Sequence, residues 1–380
     1  MPKVLILSAS TGHGHNQAAK CLQKDLEASG YEVRIAEPLK EEGRVMETLI
    51  DDGYNLLATK LPKMYGKIYK ITDQKYINKG IVIFFNKALG NTVNLLIEDY
   101  HPDLIISTHP ILVNVVSRLK ANGKIHLPFI AVVTDYMAHQ FYVSKYVDAY
   151  IVASTYTKNT FIEKGISANK IFAYGIPIRK EFRQPRKVIM NKPFTLLIMG
   201  GSMGVPYMKQ CLQKLINDLN DVRIIVVCGS NSKLRKELQE KYSSNYRGKE
   251  VIIYGFTSDI PELMDQSDVL VTKPGGLTIS EAISKNIPMV IPFFIPGQEE
   301  ENTEVLIKAG VAIRVGDSTD LSKVVRKLQA DPVLLRSMIQ KTQEISKALS
   351  PDNIVCLVDN LIYDAKTIPK TPASNNISGG

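Results

Sequence analysis

No stretch of the 380-residue chain approaches the roughly 18 to 20 consecutive apolar residues of a membrane-spanning helix. The nearest, IPMVIPFFIP (287–296), is short and broken by prolines, so any membrane contact is expected to be peripheral. Cysteine is sparse: Cys21, Cys211, Cys228 and Cys356 lie far apart and form no C-x-x-C pair, which argues against a zinc site or a disulfide framework and suits a reduced cytosol. The start, MPKVLILSAS, has one lysine and an apolar run too short for a signal-peptide core, and reads as a first β-strand. Tryptophan is absent, as is any Asp-x-Asp sequence. The net charge of +9 favours acidic partners such as nucleic acid, anionic lipid headgroups or nucleotide phosphates without choosing among them.

What is present is punctuation. Short apolar runs recur at VLILS (4–8), VRIA (33–36), LIIST (104–108), FIAVV (129–133) and AYIVA (149–153), separated by longer amphipathic stretches. A second series follows at FTLLIM (194–199), RIIVVC (223–228), VIIY (251–254), DVLVT (268–272), PMVIP (288–292) and VAIRV (311–315). Continuous apolar strands alternating with helices specify buried parallel sheets, and the restart predicts two doubly wound α/β domains, 1–183 and 184–350. A polar, basic, proline-containing linker joins them between about Gly175 and Lys192, and the cleft between them becomes the expected site. Residues 351–365 predict a last helix, and 366–380 lack apolar periodicity and are expected to be disordered.

Four loops carry chemistry. After the first strand, SASTGHGHNQAA turns tightly and opens a helix, with His13 and His15 in the turn. A dinucleotide fingerprint competes, since Glu37 stands where a ribose-binding acid belongs, but Gln17 replaces the third glycine. Histidines that merely cap the helix are a second alternative. The second series opens into MGGSMG (199–204), whose Gly201 and Ser202 suit an anion. In DVLVTKPGGLTISEAIS, Gly275, Gly276 and Thr278 begin a helix able to hold a diphosphate, leaving Glu281 for ribose hydroxyls or simply to complement the helix dipole. Finally, IPGQEEENTEVL clusters Gln298, Glu299 and Asn302 after a strand, a sugar clamp or a solvated helix start.

Between Lys60 and Lys87 seven lysines, including Lys63, Lys67 and Lys70, face the single acid Asp73, interleaved with Tyr65, Tyr69, Phe84 and Phe85. Such a segment suits docking to an anionic lipid surface; the alternative is a solvated basic helix over the core.

In this order GHGH, TDYMAH, GGSMG, KPGGLTISEA and PGQEEEN resemble the diacylglycerol glycosyltransferases, which include processive bacterial glucosyltransferases and monogalactosyldiacylglycerol synthases, over roughly residues 1–365. The resemblance implies a GT-B fold, two Rossmann-like domains facing a central cleft, with lipid acceptor on the first, UDP-sugar on the second and the 351–365 helix packing back toward the first. It implies transfer of glucose or galactose to the hydroxyl of diacylglycerol with inversion, successive additions in some members, and no bound metal, on the inner face of the cell membrane. The GGSMG loop with Gly275 and Gly276 would hold the diphosphate, Glu281 the ribose, backbone at Phe256 and Thr257 the uracil, and Gln298 and Glu299 the sugar, with Asn302 bracing that loop. Asp135 and His139 match the acceptor-side motif; the tryptophan that often follows it is missing here, with Phe141 and Tyr142 nearby.

An alcohol needs its proton removed as it attacks, and histidine is suited to that transfer, so His15 is the expected base with Asp135 orienting it or sharing the proton; the reverse assignment is chemically as sound. A lipid II pathway N-acetylglucosaminyltransferase-like enzyme and a non-catalytic UDP-sugar sensor are the competing readings. No nucleic-acid module is visible.

Overall fold

The computed structural model describes residues 1–10, 14–41, 61–74, 78–184, 186, 192–201, 207–242, 245–246, 248–316 and 321–367. The first half builds a sheet from β1 (Lys3–Leu7), β2 (Glu32–Ala36), β3 (Leu104–Ser107), β4 (Phe129–Val132), β5 (Ala149–Ile151) and β6 (Ile171–Phe172). The strands run parallel in the order β2-β1-β3-β4-β5-β6.

Side chains alternate across a strand, so each strand supplies both faces of this sheet. Leu5, Leu7 and Ile105 enter one core with Leu89, Val93 and Val116 from the Asn78–Tyr100 and Pro110–Ala121 helices. Val4, Ile6, Leu104 and Ile106 enter the other with Ala19 and Leu22 of the Gly14–Ala28 helix. That second face is completed by Ile354, Leu357, Val358 and Ile362 of the Asn353–Thr367 helix, which returns from the far end of the chain. Lys366 pairs with Asp103 at 2.8 Å, and the Tyr31 hydroxyl bonds to Asp359.

The second half consists of β7 (Phe194–Met199), β8 (Val222–Val227), β9 (Asn245–Tyr246), β10 (Lys249–Tyr254), β11 (Val269–Thr272), β12 (Met289–Ile291) and β13 (Ala312–Arg314). Their order is β13-β12-β11-β7-β8-β10-β9, parallel except for the β9–β10 pair.

Both sheets reverse their winding at the centre, between β1 and β3 and between β7 and β11, and ligands of open α/β sheets bind outside the carboxyl ends of strands at such reversals. The described residues that leave these four strands include Ser8–Ser10 ahead of the Gly14–Ala28 helix, Thr108–His109, Gly200–Gly201 and Lys273–Gly276. The halves touch here. Tyr136 donates its backbone N–H to Asn302 Oδ1 at 3.0 Å, and its hydroxyl lies 3.0 Å from Ser280 Oγ. Among the described residues no helix is long and apolar enough to cross a membrane.

Candidate active site

His15 stands in the first turn of the Gly14–Ala28 helix, at the β1/β3 reversal. Its Nδ1 lies 2.7 Å from the Thr108 carbonyl oxygen, which can only accept, so Nδ1 carries the proton. Thr134 Oγ1 sits 3.0 Å from the same nitrogen. The basic lone pair therefore belongs to Nε2, the arrangement a proton acceptor needs. Burial, partly offset by the Thr108 hydrogen bond, lowers the imidazole to about 4, so it is neutral at physiological pH. His109 packs edge-on at 4.8 Å between ring centroids and is itself held neutral by burial.

Asp135 follows β4 and is buried; burial raises its carboxyl to about 6, against the Gln298 hydrogen bond and with help from the nearby Glu299 charge. The Gln298 amide donates to Asp135 Oδ1, joining residues that the sequence assigned to opposite sides of the cleft. Glu299 is buried with both oxygens engaged, one by Lys273 Nζ at 2.5 Å and the other by the Ile295 N–H at 2.9 Å. Its carboxylate thus fastens the loop to the Lys273–Gly276 turn rather than standing open to a sugar. Asn302 bridges Tyr136 N–H and the Pro274 carbonyl, the latter at 3.1 Å.

Gly275 caps the Gly276–Ser284 helix with no side-chain hydrogen bond to its first amides. At Gly276 the halves come so close that a Cβ would lie 2.0 Å from the Thr134 carbonyl oxygen, so only glycine fits. Thr278 is half-buried on the first turn. Glu281, a turn further, has its carboxyl raised to about 8 by burial, opposed by Arg179 of the linker. Arg179 donates to the Ser258 carbonyl at 3.0 Å, placing the Phe256–Thr257 loop beside it; Phe256 is exposed, and Thr257 Oγ1 accepts from Asp259 N–H at 3.1 Å. Gly201 ends the β7 turn against the Lys273 side chain. His13 and Ser202 lie outside the described residues.

Three residues expected on the acceptor side are engaged within the protein. His139 is buried, accepts the Phe141 N–H on Nδ1 at 3.2 Å and sets Nε2 3.3 Å from the Tyr69 carbonyl, so its ring packs against the Pro62–Thr72 helix. Tyr69 turns inward, its hydroxyl donating to Glu301 Oε2 at 3.0 Å. Phe85 is half-buried against the first core. The outward apolar residues are Leu61, Met64, Ile68 and Ile71, spaced along one helical face, with Ile83 and Phe84 beyond; Tyr65 is half-buried. Lys63, Lys67 and Lys70 are exposed on the flank of that face.

Sequence reasoning missed Thr108, Thr134, Tyr136 and Arg179. Thr108 follows β3 at the reversal and Thr134 follows the neighbouring β4, where the strand-end rule points; Tyr136 lay inside the TDYMAH segment without being singled out, and Arg179 gave no local signal. Among the described residues no group of three or more His, Cys, Asp or Glu side chains is placed to hold a metal.

Comparison with known proteins agrees with this fold. The crystal structure of Acinetobacter baumannii MurG matches with a TM-score of 0.67 at 17% identity, over 95% of this chain and 100% of that one. Residues 15–178 match the profile of Monogalactosyldiacylglycerol (MGDG) synthase, and residues 195–351 that of the Glycosyltransferase family 28 C-terminal domain. The chain is a glycosyltransferase of the GT-B fold. A processive diacylglycerol beta-glucosyltransferase of Bacillus pumilus (strain SAFR-032) is 31% identical over 362 residues, 93% of each chain. One from Bacillus cereus (strain AH187) is 28% identical, covering 98% of this chain and 97% of its own. The protein belongs to the diacylglycerol glycosyltransferase family.

Proposed function

We propose that the protein transfers glucose from UDP-glucose to the free hydroxyl of a 1,2-diacylglycerol, with inversion, without a bound metal, while docked on the cytoplasmic face of the cell membrane. One observation carries this reading: the strand ends of the two halves face each other, so that Asp135 of the first half meets Gln298 of the second, and Thr134, which lies beside His15, meets Gly276.

The amides at Gly276 and the Gly200–Gly201 turn offer donors and a positive dipole end to the diphosphate, and Glu281 offers its carboxyl to the ribose. The uracil edge goes to backbone at Phe256 and Thr257. The lipid hydroxyl attacks the anomeric carbon from the face opposite the diphosphate; its oxygen–carbon bond forms as the carbon–oxygen bond to UDP breaks, which inverts the centre. The hydroxyl proton passes to His15 Nε2, and ionised Asp135 stabilises the resulting imidazolium. Charge gathering on departing UDP is met by main-chain donors, the role a cation plays in other transferases.

The acceptor comes from a bilayer. The Pro62–Thr72 helix shows Leu61, Met64, Ile68 and Ile71 to solvent beside Lys63, Lys67 and Lys70, an apolar stripe with a basic flank that fits an anionic headgroup boundary. Purified protein with diacylglycerol vesicles and UDP-glucose, UDP-galactose or UDP-N-acetylglucosamine, followed by mass spectrometry of the lipids, should give hexosyl-diacylglycerol from UDP-glucose and none after His15→Ala. A product from UDP-N-acetylglucosamine alone would overturn the donor and the acceptor branch together. In flotation, replacing Lys63, Lys67 and Lys70 by glutamine should release the protein from anionic vesicles; unchanged binding would remove the docking element.

A further inference from the structure

The Pro62–Thr72 helix has a third face, and it does not meet the first half's core. Gly66 lies against the donor loop so closely that a Cβ there would sit 2.7 Å from Pro296 Cβ. One turn on, the Tyr69 ring rests on the backbone of Gly297, and its hydroxyl donates to Glu301 at 3.0 Å. Lys70 adds an exposed pairing with Glu300 at 3.3 Å, worth little in water. The Tyr69–Glu301 bond is worth more, because it lies partly buried, where water competes less for its donor and acceptor.

The same loop carries Gln298 to Asp135 and Glu299 to Lys273. The helix therefore carries the lipid-facing stripe on one face and packs with another on the loop that the proposed function gives to the donor sugar. At 11 residues it is too short to be stable on its own. It is anchored at its C-terminal end, where Asp73 accepts Gln140 N–H at 2.7 Å and Lys164 Nζ at 2.7 Å and 2.8 Å. Whatever orders the rest of the helix also orders the loop packed on it. A ligand that orders a shared element lowers the ordering cost for the next.

We propose that Tyr69 is a positioning residue that couples the two substrates: docking of the Pro62–Thr72 helix on an anionic bilayer fixes the Pro296–Glu301 loop through Tyr69 and so tightens donor binding. Charging with UDP-sugar is then favoured at the membrane, where the acceptor is, and disfavoured in free solution, where water is the competing nucleophile. The inference rests on the proposed roles of the helix as lipid contact and the loop as donor contact.

The test uses the full chain and calorimetric titration of UDP-glucose with vesicles that lack diacylglycerol, so that no turnover occurs. In the wild type, phosphatidylglycerol-containing vesicles should lower the UDP-glucose Kd about fivefold or more relative to pure phosphatidylcholine, and UDP-glucose should tighten vesicle binding by the same factor, since coupling is reciprocal. Tyr69→Leu should float with anionic vesicles like the wild type yet bring that ratio close to one; Tyr69→Phe, which keeps the ring on Gly297, should retain part of it. Glu301→Ala removes the same hydrogen bond from the opposite half and should reduce the ratio without touching the lipid-facing helix. A merely structural role would weaken donor binding equally with and without lipid. If the wild type floats but its Kd ignores lipid, or if Tyr69→Leu and Glu301→Ala keep the full ratio, the coupling is refuted while docking stands; if the wild type does not float, docking and coupling fall together.

Discussion

At the scale of single residues, the division of labour proposed for His15 and Asp135 rests on what burial does to each. Burial lowers the imidazole to about 4 and raises the carboxyl to about 6, so at neutral pH histidine is uncharged and aspartate ionised. The state able to accept and then stabilise a proton thus exists only above the aspartate's value. The acid limb of kcat/KM, which reports the free enzyme, should fall near pH 6. Gln298 donates to that carboxylate and favours its charged form, so Gln298→Ala should raise the pKa and move the limb to higher pH by about half a unit to one unit. A pH–rate profile on both proteins decides it, and a limb near 4 unmoved by the substitution would give the titration to His15. These two residues were legible from the sequence as chemical types at suitable loops. The proton's place on His15 was not, because the carbonyl that fixes it belongs to Thr108, 93 residues further along the chain.

At the scale of elements, the Gly276–Ser284 helix is held by main-chain contact, not by side chains that could adapt. A methyl at Gly276 meets the Thr134 carbonyl, which is backbone and cannot swing aside, so the helix start must retreat. Gly276→Ala should lower kcat/KM by about 100-fold, since displacement of roughly 1 Å is that costly to an aligned reaction. Gly90→Ala, in a helix with nothing within 4 Å of the added methyl, should leave kinetics unchanged and stability equal or higher by about 0.5–1 kcal/mol. Steady-state assays and thermal melts compare the pair. The long buried strands were readable because their apolar runs carry a local signal. The two-residue strands β6 and β9 were not, being shorter than any period can reveal. In the Pro62–Thr72 helix the sequence showed lysines and aromatics but not which way they point: Tyr69 was grouped with the lipid-docking aromatics, whereas packing on Gly297 turns it away from the exposed Leu61, Met64, Ile68 and Ile71.

At the scale of the whole molecule, the chain leaves the first half, builds the second and returns, laying the Asn353–Thr367 helix on the first sheet. Val358, fully buried against that sheet, should make the halves melt as one unit. Val358→Asp introduces an unpaired buried charge that costs about 4 kcal/mol or more, and calorimetry should show the first half melting earlier, splitting one transition into two. A single transition at the wild-type temperature would mean that the helix contributes nothing to that coupling. Two doubly wound halves, glycine turns at strand ends and a basic aromatic segment were determined by the sequence alone, because strand runs and turn chemistry act over a few neighbouring residues. Tertiary structure alone decided that Gln298 reaches Asp135, that Glu299 pairs with Lys273, and that Tyr69 clasps the Pro296–Glu301 loop. Those pairs join residues remote in sequence, and their partners are selected by how two sheets and one short helix pack, a choice that no local pattern along the chain encodes.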